Sequence, residues 1–214
     1  MSDGESPEHQ AEMRRLADAV RDLIEQFVAT SAPVEVFAGV ADDLQQLAAR
    51  LSAYPQASLY FGFAEAANAG DFSAPMDHSP LMGRSNPLAP PLEFDRHDDV
   101  IIGRVTFGSA YEGPPGCVHG GYVAAAFDEL LGLTQSLSGK QGMTGRLTIH
   151  YRNPTPLHTE LRLEGRIVST EGRKIVTRGQ MFADDHLTAE AEGLFISIDF
   201  SKFEELRAAR DERG

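Results

Sequence analysis

The chain is short of cysteine, positive charge and long apolar runs, and each shortage excludes something. Cys117 is the single cysteine in 214 residues, so no disulfide forms within the chain, and a reducing, cytoplasmic setting is expected. No stretch approaches the ~18 consecutive apolar residues of a membrane span. The opening MSDGESPEHQAEMRR is polar and acidic and lacks the apolar core of a signal peptide. Lysine and arginine number 19 against 32 aspartates and glutamates, a net charge of −13 that disfavours nucleic acid as a partner. There is no dinucleotide glycine fingerprint, no phosphate loop and no internal repeat. His9, His78, His97, His150, His158 and His186 show no metal-ligand spacing, so neither metal nor cofactor is expected.

What is present is ordinary for a soluble fold: 42% hydrophobic and 24% charged residues, enough for one large domain or one domain with an appendage. The charge is uneven. Residues 1–94 hold 5 basic and 14 acidic residues, a net of −9, whereas Lys140 to Arg178 hold 8 basic and 3 acidic, a net of +5. A basic region on an acidic protein suits an anionic small ligand, unless its arginines only decorate exposed strand faces.

Along the chain, residues 1–8 read as a tail. Met13, Leu16, Val20, Leu23, Ile24, Phe27 and Val28 then recur at helical spacing from about His9 to Ala29. A second helix runs from about Val34 or Phe37 to Leu51, with Val40, Leu44, Leu47, Ala48 and Leu51 on one side. AYPQASLYFGFAEAANAGDF reads as loop or short turns. In SAPMDHSPLMGRSNPLAPPLEF five prolines make a strap that lies over a surface and is anchored by Met76, Leu81, Met82, Leu88 and Leu92. DVIIGRVTFG alternates as a strand, and four further strand candidates close the chain: MTGRLTIHYRN, ELRLEGRIVST, RKIVTRGQMFAD and LTAEAEGLFISID. The separators Pro154 to His158, Glu171-Gly172 and Asp184-Asp185 suit antiparallel hairpins. SKFEELRAARDERG is a short charged helix or a frayed end.

Between the first strand and the other four lies YEGPPGCVHGGYVAAAFDELLGLTQSL, residues 111–137. Its glycines and prolines make a loop, and its alanines and leucines a helix apolar nearly all round, ending at Ser138, Gly139 and Lys140. Such a helix is hidden only if the sheet curls around it. Yet it carries Asp128 and Glu129 at mid-length and His119, Gly120 and Gly121 at its amide-rich start.

These features resemble the hotdog fold, an α+β architecture in which a curved antiparallel sheet wraps one long helix. The resemblance is to acyl-CoA thioesterases of the phenylacetic-acid-degradation type. It rests on the HGG at 119–121, the acid nine positions after His119, and TGRLTIHYRNPTPL with its strand-then-proline ending. SNPLAPPL and YEGPPG resemble a bacterial branch. The expected division is an N-terminal helical extension (1–75), a Pro-rich strap (76–95), a hotdog domain (96–200) and a tail (201–214). The two helices and the strap are expected to cover the domain and shape the acyl entrance.

Thioester hydrolysis needs a polarised carbonyl and a delivered nucleophile. Amides at a helix start are unsatisfied donors, and glycine lets a carbonyl approach them, so Gly120 and Gly121 either form an oxyanion site or merely permit close packing. The resemblance assigns the role to the amide of Gly120. Asp128 lies eight residues on, about 12 Å at helical rise, too far to share one carbonyl with Gly120 in the same chain. Two antiparallel copies bring them together, and the resembling family builds composite sites in this way. A homodimer, or a dimer of dimers, is therefore expected. As a carboxylate Asp128 either activates water or attacks the thioester itself.

Glu129 is the rival acid, and a solvent-facing position suits it better. His119 is expected to orient the loop or the thioester, or to satisfy a backbone group. The resemblance places Thr144 near the acid, holding water or carboxylate. Gly113 departs from relatives that carry a polar amide side chain six residues before the histidine. Cys117 reads as a small buried hydrophobe. Arg146, Arg173 and Lys174, with Arg152 and Arg178, are candidates for the coenzyme A phosphates. The alternatives are a non-catalytic acyl-CoA-binding hotdog protein and a hotdog enoyl-CoA hydratase or dehydratase. A regulatory protein of this kind is expected to carry a basic DNA-binding head, and residues 1–94 are acidic.

Overall fold

The computed structural model describes residues 6–55, 77–90, 92–140 and 142–197. Most of the AYPQASLYFGFAEAANAGDF interval, the anchor Met76 and the C-terminal tail lie outside these residues. Helix α1 spans Pro7–Ala29, two residues earlier than the apolar spacing marks. Ser6 caps it by accepting from the His9 amide at 3.1 Å, and Pro7 takes the first turn, where its missing N–H costs nothing. Helix α2 spans Val34–Ser52.

Helix α1 buries Ala17 and is tied to the strap and to Ser109 by charged side chains. Arg14 pairs with the buried Asp77 of the strap at 2.9 Å, and Ser85 also donates to Asp77. Arg21 donates to the carbonyls of Asn86 and Arg84 at 2.7 and 2.9 Å. Glu25 accepts from the amide and hydroxyl of Ser109 at 2.8 and 2.7 Å, and those bonds hold its carboxyl below the usual range. Strap residues Met82 and Leu92 enter the core as anchors, while Leu88 remains exposed. Helix α2 departs from the expected cover: it buries no residue, and Val40, Leu44, Leu47 and Leu51 stay exposed among the described residues.

Among the described residues, six strands form one antiparallel sheet: β1 (Glu93–His97), β2 (Val100–Thr106), β3 (Gly142–Tyr151), β4 (Glu160–Glu171), β5 (Lys174–Ala183) and β6 (His186–Ser197), in the order β1-β2-β4-β5-β6-β3. Strand β1 replaces the end of the expected strap. It turns into β2 through Asp98, at φ 53, with His97 opposite Val100. Two expected hairpins are present. Gly172 (φ 57) turns β4 into β5, and Asp184 (φ 51) turns β5 into β6. The third is not. Strand β3 pairs with β6, so residues 152–159 carry the chain across the sheet instead of closing a hairpin.

Helix α3, Gly120–Ser136, packs on the concave face with Val123, Ala126, Phe127, Leu130, Leu131 and Thr134 buried at i, i+3, i+4 spacing. Three glycines seat it. An added Cβ at Gly179 of β5 would come within 2.9 Å of Leu130 and 3.2 Å of Phe127 and Leu131. Gly165 of β4 is closed off by Thr134 and Leu130, and Gly193 of β6 by Phe195 and Leu131. Bulges at Thr144/Arg146, Ile167/Ser169 and Met181/Phe182 bend the strands around the helix.

Candidate active site

The loop ahead of α3 is stapled from within. Glu112 accepts from the Gly116 amide at 2.7 Å, and the Gly113 amide donates to the Cys117 carbonyl at 2.9 Å. Gly116, at φ 73, makes the turn. The loop is also tied to the crossover: the Val118 amide donates to Thr155 at 2.8 Å, and Leu157 to Gly116 at 3.1 Å. At Gly113 a Cβ would fall 2.7 Å from the Cα of His119. No side chain fits there, so any water-holding amide at that position is ruled out by packing.

His119 is the N-cap of α3. Its Nδ1 accepts from the Gly121 amide at 3.0 Å, which fixes the neutral tautomer with the proton on Nε2. The ring therefore acts as a cap that can also donate, and one of the two glycine amides is already used. The Gly120 amide meets no acceptor among the described residues. Tyr151, at the end of β3, donates its hydroxyl to the Gly120 carbonyl at 2.8 Å. One peptide group, between Gly120 and Gly121, is thus gripped at its oxygen by Tyr151 and at its N–H by His119. Beside it Phe107, Tyr111 and Tyr122 stack edge to face, with ring centres of Tyr111 and Tyr122 4.8 Å apart. Burial pushes the Tyr111 phenol pKa up.

The second group sits on the outward face of the helix. Asp128 is exposed, and the Thr144 hydroxyl donates to its Oδ1 at 3.0 Å. Thr144 stands at the bulge in β3, where the extra residue re-aims the strand. Glu129 contradicts the solvent-facing expectation. It is half-buried, and burial, followed by the adjacent Asp128, pushes its carboxyl up to about 7.

The structure therefore forms two clusters: His119, Gly120, Gly121 and Tyr151 at the helix start, and Asp128 with Thr144 further along. Helical rise over eight residues keeps them about 12 Å apart within one chain. Tyr151 was missed in the sequence because it ends an ordinary strand pattern; its exposed position beside the prolines was the available signal.

The basic candidates separate. Arg152 and Arg178 are neutralised by Glu190 and Glu192 across the strands. Arg146 is exposed on β3. Arg173 and Lys174 lie at the β4–β5 turn, where Lys140 also reaches the Gly172 carbonyl at 2.8 Å. Lys174 opposes Ile196, which opposes Met143, so these four cations share one end of the sheet. Among the described residues no group of His, Cys, Asp and Glu is placed to hold a metal. No described helix is long and apolar enough to cross a membrane.

The family description that matches residues 115–190 is the thioesterase superfamily. A crystallised thioesterase superfamily protein shares 34% identity with a TM-score of 0.77, over 86% of this chain and 94% of that one. Acyl-coenzyme A thioesterase THEM4 of Xenopus laevis is 37% identical over 93 residues, 42% of each chain. Acyl-coenzyme A thioesterase THEM5 of Homo sapiens is 31% identical over 93 residues, 42% of this chain and 38% of that one. The chain thus matches less than half the length of these curated relatives.

Proposed function

The chain belongs to the thioesterase superfamily, and from that premise we propose that it hydrolyses the thioester of an acyl-coenzyme A to a free acid and coenzyme A. The observation that carries this reading is the pair of half-sites on α3: an amide at Gly120 with no acceptor among the described residues, and a carboxylate held outward by Thr144 at Asp128. The acyl-CoA class comes from the names of THEM4 and THEM5. The HGG motif and its spacing to Asp128 favour the phenylacetic-acid-degradation branch.

Two copies related by a twofold axis, with their α3 helices antiparallel, complete two sites in a homodimer, or in a dimer of dimers built from it. Exposure of Asp128 and the outer edge of β3, which pairs with no further strand among the described residues, support that arrangement. In each site the Gly120 amide of one protomer polarises the thioester carbonyl, and Nε2–H of His119 donates to the substrate alongside it. Asp128 of the other protomer takes a proton from water as the water oxygen bonds to the carbonyl carbon. The carbon–sulfur bond then breaks with its electron pair on sulfur, and Asp128 returns that proton to the thiolate as coenzyme A leaves. Lys140, Arg146, Arg173 and Lys174 are the cations offered to the coenzyme A phosphates. Residues 1–75 and 76–95 make up an extension and a strap ahead of a catalytic domain of 96–200, to which β1 adds its first residues from Glu93. The lone Cys117 supports a reducing, cytoplasmic setting.

The test is release of free thiol from short, long and aromatic acyl-CoAs. Release that disappears in Asp128→Ala supports the reading. Binding of acyl-CoA with no thiol release from any member of the panel would sink it.

A further inference from the structure

Away from both half-sites, a cleft of about 410 Å³ opens between the strap, β1 and β2, and the C-terminal part of α3. Its volume falls in the range of small-ligand sites, roughly 300–1,000 Å³. The floor is apolar: Met82 and Leu92 from the strap, Phe94 from β1, Ile101 from β2, and Leu133 and Leu137 from α3. Four charged residues border it, and their partners differ. Asp77 is bound by Arg14 and Ser85, and Asp95 pairs with Arg104 at 3.4 Å. The Arg84 side chain has no hydrogen-bond partner among the described residues. Arg96 gives only its Nε, to the Asp98 carbonyl at 3.1 Å. The anions of the cleft are already paired, and among the described residues neither of its two guanidiniums meets a carboxylate, on a protein whose net charge is −13.

We propose that this cleft is a ligand site of its own and takes an aliphatic carboxylate, with the chain on the apolar floor and the carboxylate on Arg84 and Arg96. An apolar floor excludes a bare phosphate, which gains nothing from it and loses hydration. A peptide would leave backbone groups unpaired against the floor. A flexible alkyl chain buries its surface there at about 25 cal/mol per Å². Guanidinium matches carboxylate geometry in two parallel hydrogen bonds. The acid released by thioester hydrolysis belongs to this chemical class, but the site does not depend on that reaction.

The experiment uses the full chain with labelled methionine methyl groups, titrated with octanoate and, separately, with 1-octanol as the uncharged probe. Saturable movement of the Met82 signal, assigned through Met82→Leu, is the expected result. The double variant Arg84→Gln, Arg96→Gln should weaken octanoate by about tenfold and leave 1-octanol unchanged. Asp128→Ala should leave octanoate binding unchanged, which separates this site from the proposed active centre. The melting temperature of the double variant confirms its fold. The proposal is overturned if the Met82 signal does not move, if the double variant binds octanoate as the parent does, or if Asp128→Ala abolishes the binding.

Discussion

The hydroxyl of Thr144 lies 3.0 Å from Oδ1 of Asp128 and donates to it, joining the central helix to the edge strand at the bulge. Both residues are exposed in the single chain, so the bond does little for the core, and in the proposed site it aims the carboxylate. Thr144→Val keeps the shape and removes the donor. Thiol release should fall by roughly tenfold to a hundredfold, the scale of one hydrogen bond to a charged group, about 1.5–3 kcal/mol. Thr144→Ser should recover most of it, and the melting temperature should not follow the activity.

In the other proposed half-site, Tyr151 is joined to Gly120 through a backbone carbonyl. Its hydroxyl holds the Gly120 oxygen at 2.8 Å while His119 holds the Gly121 amide at 3.0 Å. Tyr151→Phe loosens one end of that peptide. Turnover should drop about threefold to tenfold with KM nearly unchanged, since a single neutral hydrogen bond contributes about 0.5–1.5 kcal/mol. A rise in KM at constant kcat would place Tyr151 in substrate binding instead.

These two contacts show what was and was not legible in the sequence. The apolar run from Gly120 to Ser136 announces a buried helix, and alternation marks β4, β5 and β6. Strand β1 is hidden because EFDRH presents mostly charged residues to solvent from a sheet edge, where only Phe94 packs inward. The Pro154–His158 connection looks like a hairpin because a short separator says nothing of strand order. Strand β3 pairs with β6, a contact set by the long-range course of the sheet around α3. Thr144 was found beside Asp128 through resemblance, whereas Tyr151 meets Gly120 across 31 positions, which no local pattern encodes.

Glycine ordinarily weakens a strand, but at Gly179 its bare backbone is what lets the helix pack against β5. A Cβ there would press on Leu130 at 2.9 Å and on Leu131 and Phe127 at 3.2 Å. Gly179→Val has to push α3 off the sheet or force rotamers, costing about 1–3 kcal/mol. A lower midpoint in urea denaturation is expected. Gly132, whose Cβ position has nothing within 4 Å, is the matched control, and Gly132→Ala should hold or raise stability.

Glu129 gives the pH prediction. Its carboxyl is pushed up to about 7 from 4.5, first by burial and then by Asp128. Between those values the folded chain binds more protons than the unfolded one, so stability falls as pH rises through the window. Glu129→Gln mimics the protonated form and removes that loss. Allowing for water at a half-buried group, the variant should gain about 1–2 kcal/mol over the parent at pH 8. At pH 4 the two should match. A constant difference across pH 4–8 would show that the carboxyl ionises without cost.

Whether Gly120 and Asp128 work in different protomers is testable by complementation. Gly120 occupies the first position of α3, where proline is well tolerated, and His119 before it is already extended at φ −60, ψ 131, as a residue preceding proline should be. Gly120→Pro therefore removes the amide hydrogen with little change of backbone. Alone it should abolish thiol release, and so should Asp128→Ala. Mixed and allowed to exchange subunits, the two variants form heterodimers in which one protomer supplies the intact Gly120 amide and the other the intact Asp128. Half the dimers are then mixed, each with one complete site of two, so recovery approaches about a quarter of parental activity. If both groups acted within one chain, every site would lack one of them, and the mixture would stay as inactive as its components.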